Sequence, residues 1–240
     1  MLVFRPLPGL TAACAVAFAI LAGLGAWQLF IRLPWKLDLI AQVNRNLHAA
    51  PISLDTVPLA QTQRNEYARV TLTGAFDNAK EAYIYGLDAT GAPVYHVIVP
   101  LRMRDGRIYL IDRGTVPKER LDPATRREGQ LQGEQHTSGV WRTPDSPGWF
   151  TPAPDLRHRI WYAHDLGAIA NADGVTLAAP IVIEADATPN PGGWPRGGQT
   201  RVEFRNEHLQ YAITWFGLAA ALIGVYIAYH VSRGRLRWRS

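Results

Sequence analysis

The sequence predicts a membrane protein in which two transmembrane α-helices, N- and C-terminal, flank a mostly antiparallel β (α+β) extracytoplasmic domain. Three observations predict this class. Two long apolar runs lie near the two ends of the 240-residue chain. Every acidic residue lies between these runs, in the segment 32–207. That segment contains short alternating or β-branched runs bounded by Gly, Pro and Asp, which is typical of strands.

The first apolar run has no charged residue between Pro6 and Ile31, which exceeds the roughly 20 residues needed to cross a bilayer. We assign the first transmembrane helix to residues 8–32. A cleaved signal peptide is the alternative, but this run continues well past the apolar region that such peptides contain. Apolar residues at helical spacing predict that a helix at 37–47 extends the span and ends at Pro51.

The extracytoplasmic domain is assigned to residues 33–205. Asp105-Gly106 predicts a hairpin between two of its strands, and Asp165 and Gly174 are expected to bound a short helix. The predicted strands are 67–76, 82–85, 94–101, 107–111, 139–142 and 181–185.

The second apolar run follows His208 and contains no Lys, Arg, Asp or Glu before Arg233. We assign the second transmembrane helix to residues 208–231 and a cytoplasmic tail to residues 232–240. Short flanks rich in Arg stay on the cytoplasmic side of a membrane. Both termini are therefore expected in the cytoplasm and the central domain in the periplasm. No Arg-rich, Ser-rich presequence precedes the first span, which favours a bacterial plasma (inner) membrane over an organelle.

The net charge of +5 does not indicate nucleic-acid binding, because the segment 32–207 holds 20 basic and 20 acidic residues. The single cysteine, Cys14, excludes an intramolecular disulfide, a CxxC redox site, a thiolate zinc site and c-type haem attachment. The common hydrolase, metalloprotease and nucleotide-binding signatures are absent. The sequence motifs therefore give no positive reason to predict an enzyme. A catalytic pair of carboxylates from distant parts of the chain stays an alternative.

The candidate chemistry lies where both spans meet the outer interface. His208, Tyr211 and Trp215 share one face of the second helix. Gln28, Arg32 and Trp35 have nearly the same spacing on the first. An imidazole, aromatic walls and cations at one depth suit a flat amphipathic ligand with anionic groups, such as a haem. Simple anchoring at the interface is the alternative for these residue types. The candidate cofactor-binding residues are Trp27, Gln28, Arg32, Lys36, Arg205, His208, Tyr211 and Trp215.

Two further residues of interest lie outside that group. His230 lies about 33 Å along the helix from His208, and we interpret it as an interfacial residue at the cytoplasmic face. Arg113 precedes Gly114, and we interpret this pair as a turn in which the glycine adopts a positive φ.

Several motifs occur in an order that resembles the Surfeit locus protein 1 family of cytochrome c oxidase assembly factors. One departure from the family pattern is an interval between Trp27 and Trp35 that is one residue longer, which Pro34 would absorb outside the helix. Another is the presence of Asp112 and Thr115 where the family usually has Asn and Trp. The motifs are GAWQ at 25–28, YARVTLTGAFD at 67–77, DRGTVP at 112–117, PGGWPRGGQT at 191–200 and NEHLQYAITW at 206–215.

The resemblance implies a non-enzymatic assembly factor that binds haem a transiently and non-covalently. It implies His208 as the axial ligand of the iron, and the large catalytic subunit of a haem–copper (cytochrome c) oxidase as the partner that receives the haem. Haem a synthase is left open as a further partner, and no nucleic acid is expected. The alternative is a cofactor-free membrane scaffold that stabilises an oxidase assembly intermediate. A membrane-anchored enzyme is a third reading.

Overall fold

A computed structural model describes residues 2–54, 56, 65–88, 90–143, 147–200, 202 and 204–238. They form two units, one made of the chain up to Gln42 with the residues after 203, the other of Val43–Val202. In chain order the elements are β1 (Leu2–Phe4), α1 (Pro8–Trp27), a π-helical turn (Gln28–Arg32), α2 (Leu33–His48), β2 (Ile52–Ser53), β3 (Arg69–Phe76), β4 (Ala82–Leu87), β5 (Pro93–Met103), β6 (Ile108–Val116), β7 (Glu134–Arg142), β8 (Ile160–Trp161), α3 (Leu166–Asp173), β9 (Val182–Ala185), α4 (His208–Ser232) and β10 (Leu236–Trp238). The fold class is confirmed, because two apolar terminal helices flank a β-rich domain in the sequence. The extracytoplasmic placement of that domain stays a prediction.

The first apolar run is part of one unbroken helix, Pro8–His48, which contains α1, the π-helical turn and α2. The helix that we predicted at 37–47 is thus the end of this element. Our expectation that Pro34 absorbs the extra residue outside the helix is wrong, because Pro34 lies within α2. The π-helical turn takes up that residue instead, since its i→i+5 hydrogen bonds accommodate one more residue per turn than an α-helix.

The helices α1 and α4 are antiparallel, as three contacts in reversed order show. Thr11 is hydrogen-bonded to Tyr226 with 2.7 Å between the oxygens, and Gly25 faces the ring of Phe216. At the other end Gln28 meets His208. The terminal strands β1 and β10 pair antiparallel beyond these helices. Both helices are long and apolar enough to cross a membrane.

In the β-rich unit, five strands form a closed ring in the order β3–β7–β9–β6–β5, with β5 pairing back to β3. Outside the ring, β4 and β8 extend the sheet from β5, and β2 pairs with β3. Ring closure brings two backbones very close at Gly74, where a Cβ would lie 2.5 Å from the carbonyl oxygen of Arg102. Only glycine fits that approach.

The strand β6 contributes side chains to two hydrophobic clusters, one inside the ring and one outside it, because successive side chains of a strand point to opposite faces. Tyr109 and Ile111 point into the ring and pack with Leu72, Leu101 and Trp141. Leu110, between them in sequence, points outward to a second cluster that contains residues of α3. The strand is therefore buried on both faces.

The structure confirms the predicted hairpin at Asp105-Gly106, which joins β5 and β6. The short helix α3 is also confirmed, with Asp165 accepting a hydrogen bond from the backbone N–H of Ala168 and Gly174 closing the helix in the left-handed region. Three pairings are parallel: β6 with β9, β2 with β3, and β4 with β8. The domain is thus mostly rather than wholly antiparallel.

The pair Arg113-Gly114 is not a turn, which corrects our interpretation. It lies within β6, where two residues oppose the single residue Val97 of β5 and form a bulge. The positive φ that we expected at Gly114 is present, at 107°. A Cβ there would lie 1.9 Å from the carbonyl oxygen of Arg196, so this site excludes any side chain.

Candidate functional site

The candidate site begins at a hydrogen bond between the two apolar helices. His208 is the first residue of α4, and Gln28 is the first residue of the π-helical turn. The imidazole Nδ1 lies 2.8 Å from the amide Oε1 of Gln28. Because an amide oxygen only accepts, Nδ1 must carry the hydrogen, which leaves the lone pair of a neutral ring on Nε2. Among the described residues, none forms a hydrogen bond with Nε2.

The π-helical turn ends at Arg32, whose guanidinium lies between two tryptophans. The guanidinium carbon is 5.6 Å from the ring centroid of Trp27 and 4.6 Å from that of Trp35. These are cation–π distances. Within the described part of the chain, Arg32 forms no ion pair with a carboxylate. Its charge therefore interacts with the faces of two tryptophan rings.

Lys36 and Arg205 differ in whether a carboxylate pairs with the cation. The Nζ of Lys36 lies 5.3 Å from the ring centroid of Phe204, and no carboxylate in the described ranges pairs with it. Arg205 is exposed and forms an ion pair with Glu207 at 2.5 Å. The hydrogen bond and the charge of Glu207 raise the pKa of Arg205. Lys36 is therefore the freer cation of the two.

The three aromatic candidates Trp27, Tyr211 and Trp215 belong to the same unit. Trp27 is 44% exposed and Tyr211 51% exposed, so both present large apolar surfaces outward. Trp215 is half-buried. The described contacts bring Trp27 together with Arg32, and Tyr211 lies near enough to Arg205 for its charge to contribute to the raised pKa of that arginine. No described contact links Trp215 to another candidate side chain. The place of Tyr211 and Trp215 in the site depends on the shared face of α4.

The side chains of this site match the chemical groups of a haem in two respects. The Nε2 of His208 is the type of donor that binds haem iron in many proteins. Arg32 and Lys36 are cations that lack carboxylate partners in the described chain. They can therefore pair with the carboxylate groups of a ligand. No group of three or more His, Cys, Asp or Glu residues that could hold a metal ion occurs among the residues that the structure describes.

The sequence did not reveal the parts of this site that depend on helix geometry. Phe204 and Glu207 were not candidates, because neither type stands out beside an apolar helix. The π-helical turn did leave a signal, since the extra residue between Trp27 and Trp35 is visible in the sequence. A longer interval of this kind inside a helix indicates a π-bulge, and such bulges are frequent at functional sites.

His230, at the opposite end of α4, is fully buried. Its Nδ1 lies 2.9 Å from the carbonyl oxygen of Tyr226. The rings of Phe4 and Tyr229 surround it, with centroids 5.5 and 5.8 Å away. We interpreted His230 as an interfacial residue, and the structure places it beneath the terminal strand β1 in a packed aromatic cluster.

Comparison with known proteins gives a consistent result. A family model described as the SURF1 family matches residues 15–220. Surfeit locus protein 1 of Takifugu rubripes is 37% identical over 227 residues, covering 88% of this chain and 92% of the relative. The protein of the same name from Rattus norvegicus is 39% identical, covering 83% of this chain and 68% of the relative. The Homo sapiens protein is 38% identical, with 83% and 70% covered.

Proposed function

Because this chain belongs to the Surfeit locus protein 1 (SURF1) family, we propose that it is an assembly factor for haem–copper (cytochrome c) oxidase, not an enzyme. In this proposal it binds haem a and aids insertion of that haem into the large catalytic subunit. The function rests on the family, and the haem site rests on one observation. That observation is the hydrogen bond that directs the Nε2 lone pair of His208 away from Gln28.

Each candidate residue has a distinct task in this proposal. His208 binds the iron through Nε2, and Gln28 fixes the orientation and tautomer of the ring, as groups behind metal-binding histidines commonly do. When bound, haem a would supply an iron that accepts the lone pair of a neutral histidine, and carboxylates that bind cations.

The cations and aromatic side chains act on the rest of the ligand. Arg32 and Lys36 bind the carboxylates, with Arg205 as a weaker third cation because Glu207 already neutralises it. Trp27, Tyr211 and Trp215 cover the apolar faces. A single histidine and an open surface suit reversible binding, which a delivery role requires.

The proposal places the protein in a bacterial plasma membrane. Both termini lie in the cytoplasm and the β-rich domain lies in the periplasm, since the Arg-rich tail should stay on the cytoplasmic side. The haem site then lies at the periplasmic interface. The partners are the oxidase catalytic subunit, which receives the haem, and haem a synthase as a source of it.

The test is the absorption spectrum of the full-length protein, purified in detergent from cells that make haem a. We expect a Soret band in the wild type and a lost or shifted band in His208→Ala. His158→Ala is the matched control, because His158 is an exposed histidine of the β-rich unit. A wild-type protein without a Soret band, or a His208→Ala protein with an unchanged one, would contradict the haem assignment.

The second candidate function is a cofactor-free scaffold. It is favoured by Trp149 and Phe150, which are adjacent in the β-rich unit and 95% and 93% exposed. Exposed aromatic side chains of this kind are enriched in protein interfaces. Under this alternative, the His208→Ala protein free of haem should still co-purify with the oxidase catalytic subunit. Loss of that co-purification in the same variant would count against the scaffold.

A further inference from the structure

A cavity of the β-rich unit lies at one mouth of the closed strand ring. Its volume is about 410 Å³, within the range of small-molecule sites, and barrel mouths are common places for such sites. Phe76 of β3, Ile111 of β6 and Ala185 of β9 form apolar walls. Thr137 and Ser138 of β7 and the loop at 186–191 add polar groups.

Arg113 also lines this cavity and is only 1% exposed. The β6 bulge holds it two residues after Ile111, on the strand face that points into the ring. Its guanidinium stacks over Phe76, with the carbon 4.6 Å from the ring centroid. Its Nη2 donates to the Oδ1 of Asn190 at 2.9 Å. Its Nη1 is buried and has no acceptor among the described residues.

Two acids lie near Arg113, but in the described chain neither forms an ion pair with it. Both carboxylate oxygens of Glu81 accept hydrogen bonds from Arg126, at 3.0 and 2.6 Å, and Glu81 also accepts from Tyr83 and Gln130. Asp186 lies in the cavity wall, and its Oδ1 accepts the backbone N–H of Thr188 at 2.9 Å.

Burial of a cation without a counter-charge is unfavourable. Desolvation by burial, together with the charge of Arg126, lowers the pKa of Arg113 to about 10 although Glu81 acts in the opposite direction. Arg113 therefore remains charged near neutral pH. An anion in the adjacent cavity would offset the desolvation cost and supply an acceptor to the unpartnered nitrogen.

We propose that the ring mouth binds a small organic anion, whose carboxylate or phosphate group faces Arg113 and whose apolar body contacts Phe76 and Ile111. Asn190 is a positioning residue in this site. One of its atoms accepts from Arg113, and its Nδ2 donates to the carbonyl oxygen of Pro195 at 2.6 Å. This site is independent of the haem proposal, since every residue named belongs to the β-rich unit.

The experiment measures the thermal unfolding midpoint of the full-length protein in detergent at constant ionic strength. The probes are benzoate, phenyl phosphate, inorganic phosphate and the neutral analogue benzyl alcohol. We expect a saturable rise in midpoint with benzoate or phenyl phosphate, and none with benzyl alcohol. The stronger of the two organic probes distinguishes a carboxylate ligand from a phosphate ligand. Inorganic phosphate binding as tightly as phenyl phosphate would overturn the role of the apolar walls.

Arg113→Gln should weaken binding of the stronger probe by about tenfold or more, because a charge-assisted hydrogen bond is lost. Arg142→Gln is the matched control and should change it by no more than about twofold, since Arg142 is a part-buried arginine paired with Glu66 elsewhere. If Arg113→Gln does not fold, Thr188→Trp keeps Arg113 and narrows the exposed rim of the cavity. No saturable rise with any anion, or an unchanged affinity in the folded Arg113→Gln or Thr188→Trp protein, would overturn the proposal.

Discussion

At the scale of single residues, Gln28 determines what His208 offers to a ligand. A free imidazole exchanges between two tautomers and rotates about its side-chain bonds. The 2.8 Å hydrogen bond to Gln28 selects the form with hydrogen on Nδ1 and holds the ring on the helix. The hydrogen bond therefore orients the imidazole of His208, and this orientation depends on a hydrogen-bond acceptor at position 28.

This reasoning predicts that Gln28→Leu weakens haem a binding by about tenfold or more, the effect typical for groups behind a metal ligand. Gln28→Glu should restore much of the affinity, because a carboxylate also accepts from Nδ1. Haem titration of the full-length protein measures both variants. Gln210→Leu, an exposed glutamine of α4, is the control. Equal affinities of Gln28→Leu and the wild type would show that Gln28 does not position the ligand.

Gly114 is a second residue whose role can be isolated. We predict that Gly114→Ala destabilises the β-rich unit by more than about 3 kcal/mol, because the new Cβ must displace the Arg196 backbone. Gly133→Ala is the matched control. That glycine also has a positive φ, of 70°, but its Cβ would meet nothing within 4 Å. It should cost only about 1–2 kcal/mol. Chemical denaturation measures both, and equal losses would contradict the close approach.

At the scale of elements, a buried ion pair attaches the 3₁₀-helical segment Pro123–Gly129 to the chain just before β4. Arg126 and Glu81 have side chains only 1% and 3% exposed and approach to 2.6 Å. Burial by itself would raise the pKa of Glu81, but the hydrogen bonds and charge of Arg126, with bonds from Gln130 and Tyr83, outweigh it. The pKa of Glu81 is therefore lowered from its ordinary 4.5.

We predict that Glu81→Gln lowers the free energy of unfolding by about 3 kcal/mol or more, because it leaves Arg126 buried without a counter-charge. A lowered pKa in the folded state means that the stabilisation is complete above pH 4.5. It is lost as the pH falls through the folded value.

Urea unfolding at neutral and acidic pH measures both effects. The difference between wild type and Glu81→Gln should shrink in acid. Glu134→Gln removes an exposed pair with Arg104 and should change little. An equal effect of the two substitutions would contradict the role assigned to burial.

Sequence patterns predicted these elements unevenly, for physical reasons. Alternation located β3, and Asp165 and Gly174 marked α3, because these signals lie within a few residues. The strand β6 was predicted too short at 107–111, since the bulge at Arg113-Gly114 interrupts its period. The site on α4 was located by residue type, whereas the pairing of His208 with Gln28 depends on contacts 180 positions apart.

At the scale of the whole molecule, the antiparallel arrangement of α1 and α4 predicts that both ends of the chain lie on the same side of the membrane if both helices span it. The Arg-rich tail predicts that this side is the cytoplasm. Green fluorescent protein fused to either end should therefore fluoresce, since it folds in the cytoplasm. Alkaline phosphatase inserted after Gly91, a loop glycine, should be active because it needs the periplasm. Fluorescence at one end only, or an inactive phosphatase, would contradict the proposed topology.

The pairing of β1 with β10 also brings residues 2 and 238 together. Leu2 lies opposite Trp238, and partners across an antiparallel pair have Cα atoms about 5 Å apart. A linker of a few residues could join them without moving either helix, and new ends could open at Gly91. In that circular permutant α4 would precede α1, so that the two spans would enter the membrane as one consecutive helical hairpin. The same three-dimensional fold would then have a different order of synthesis and insertion.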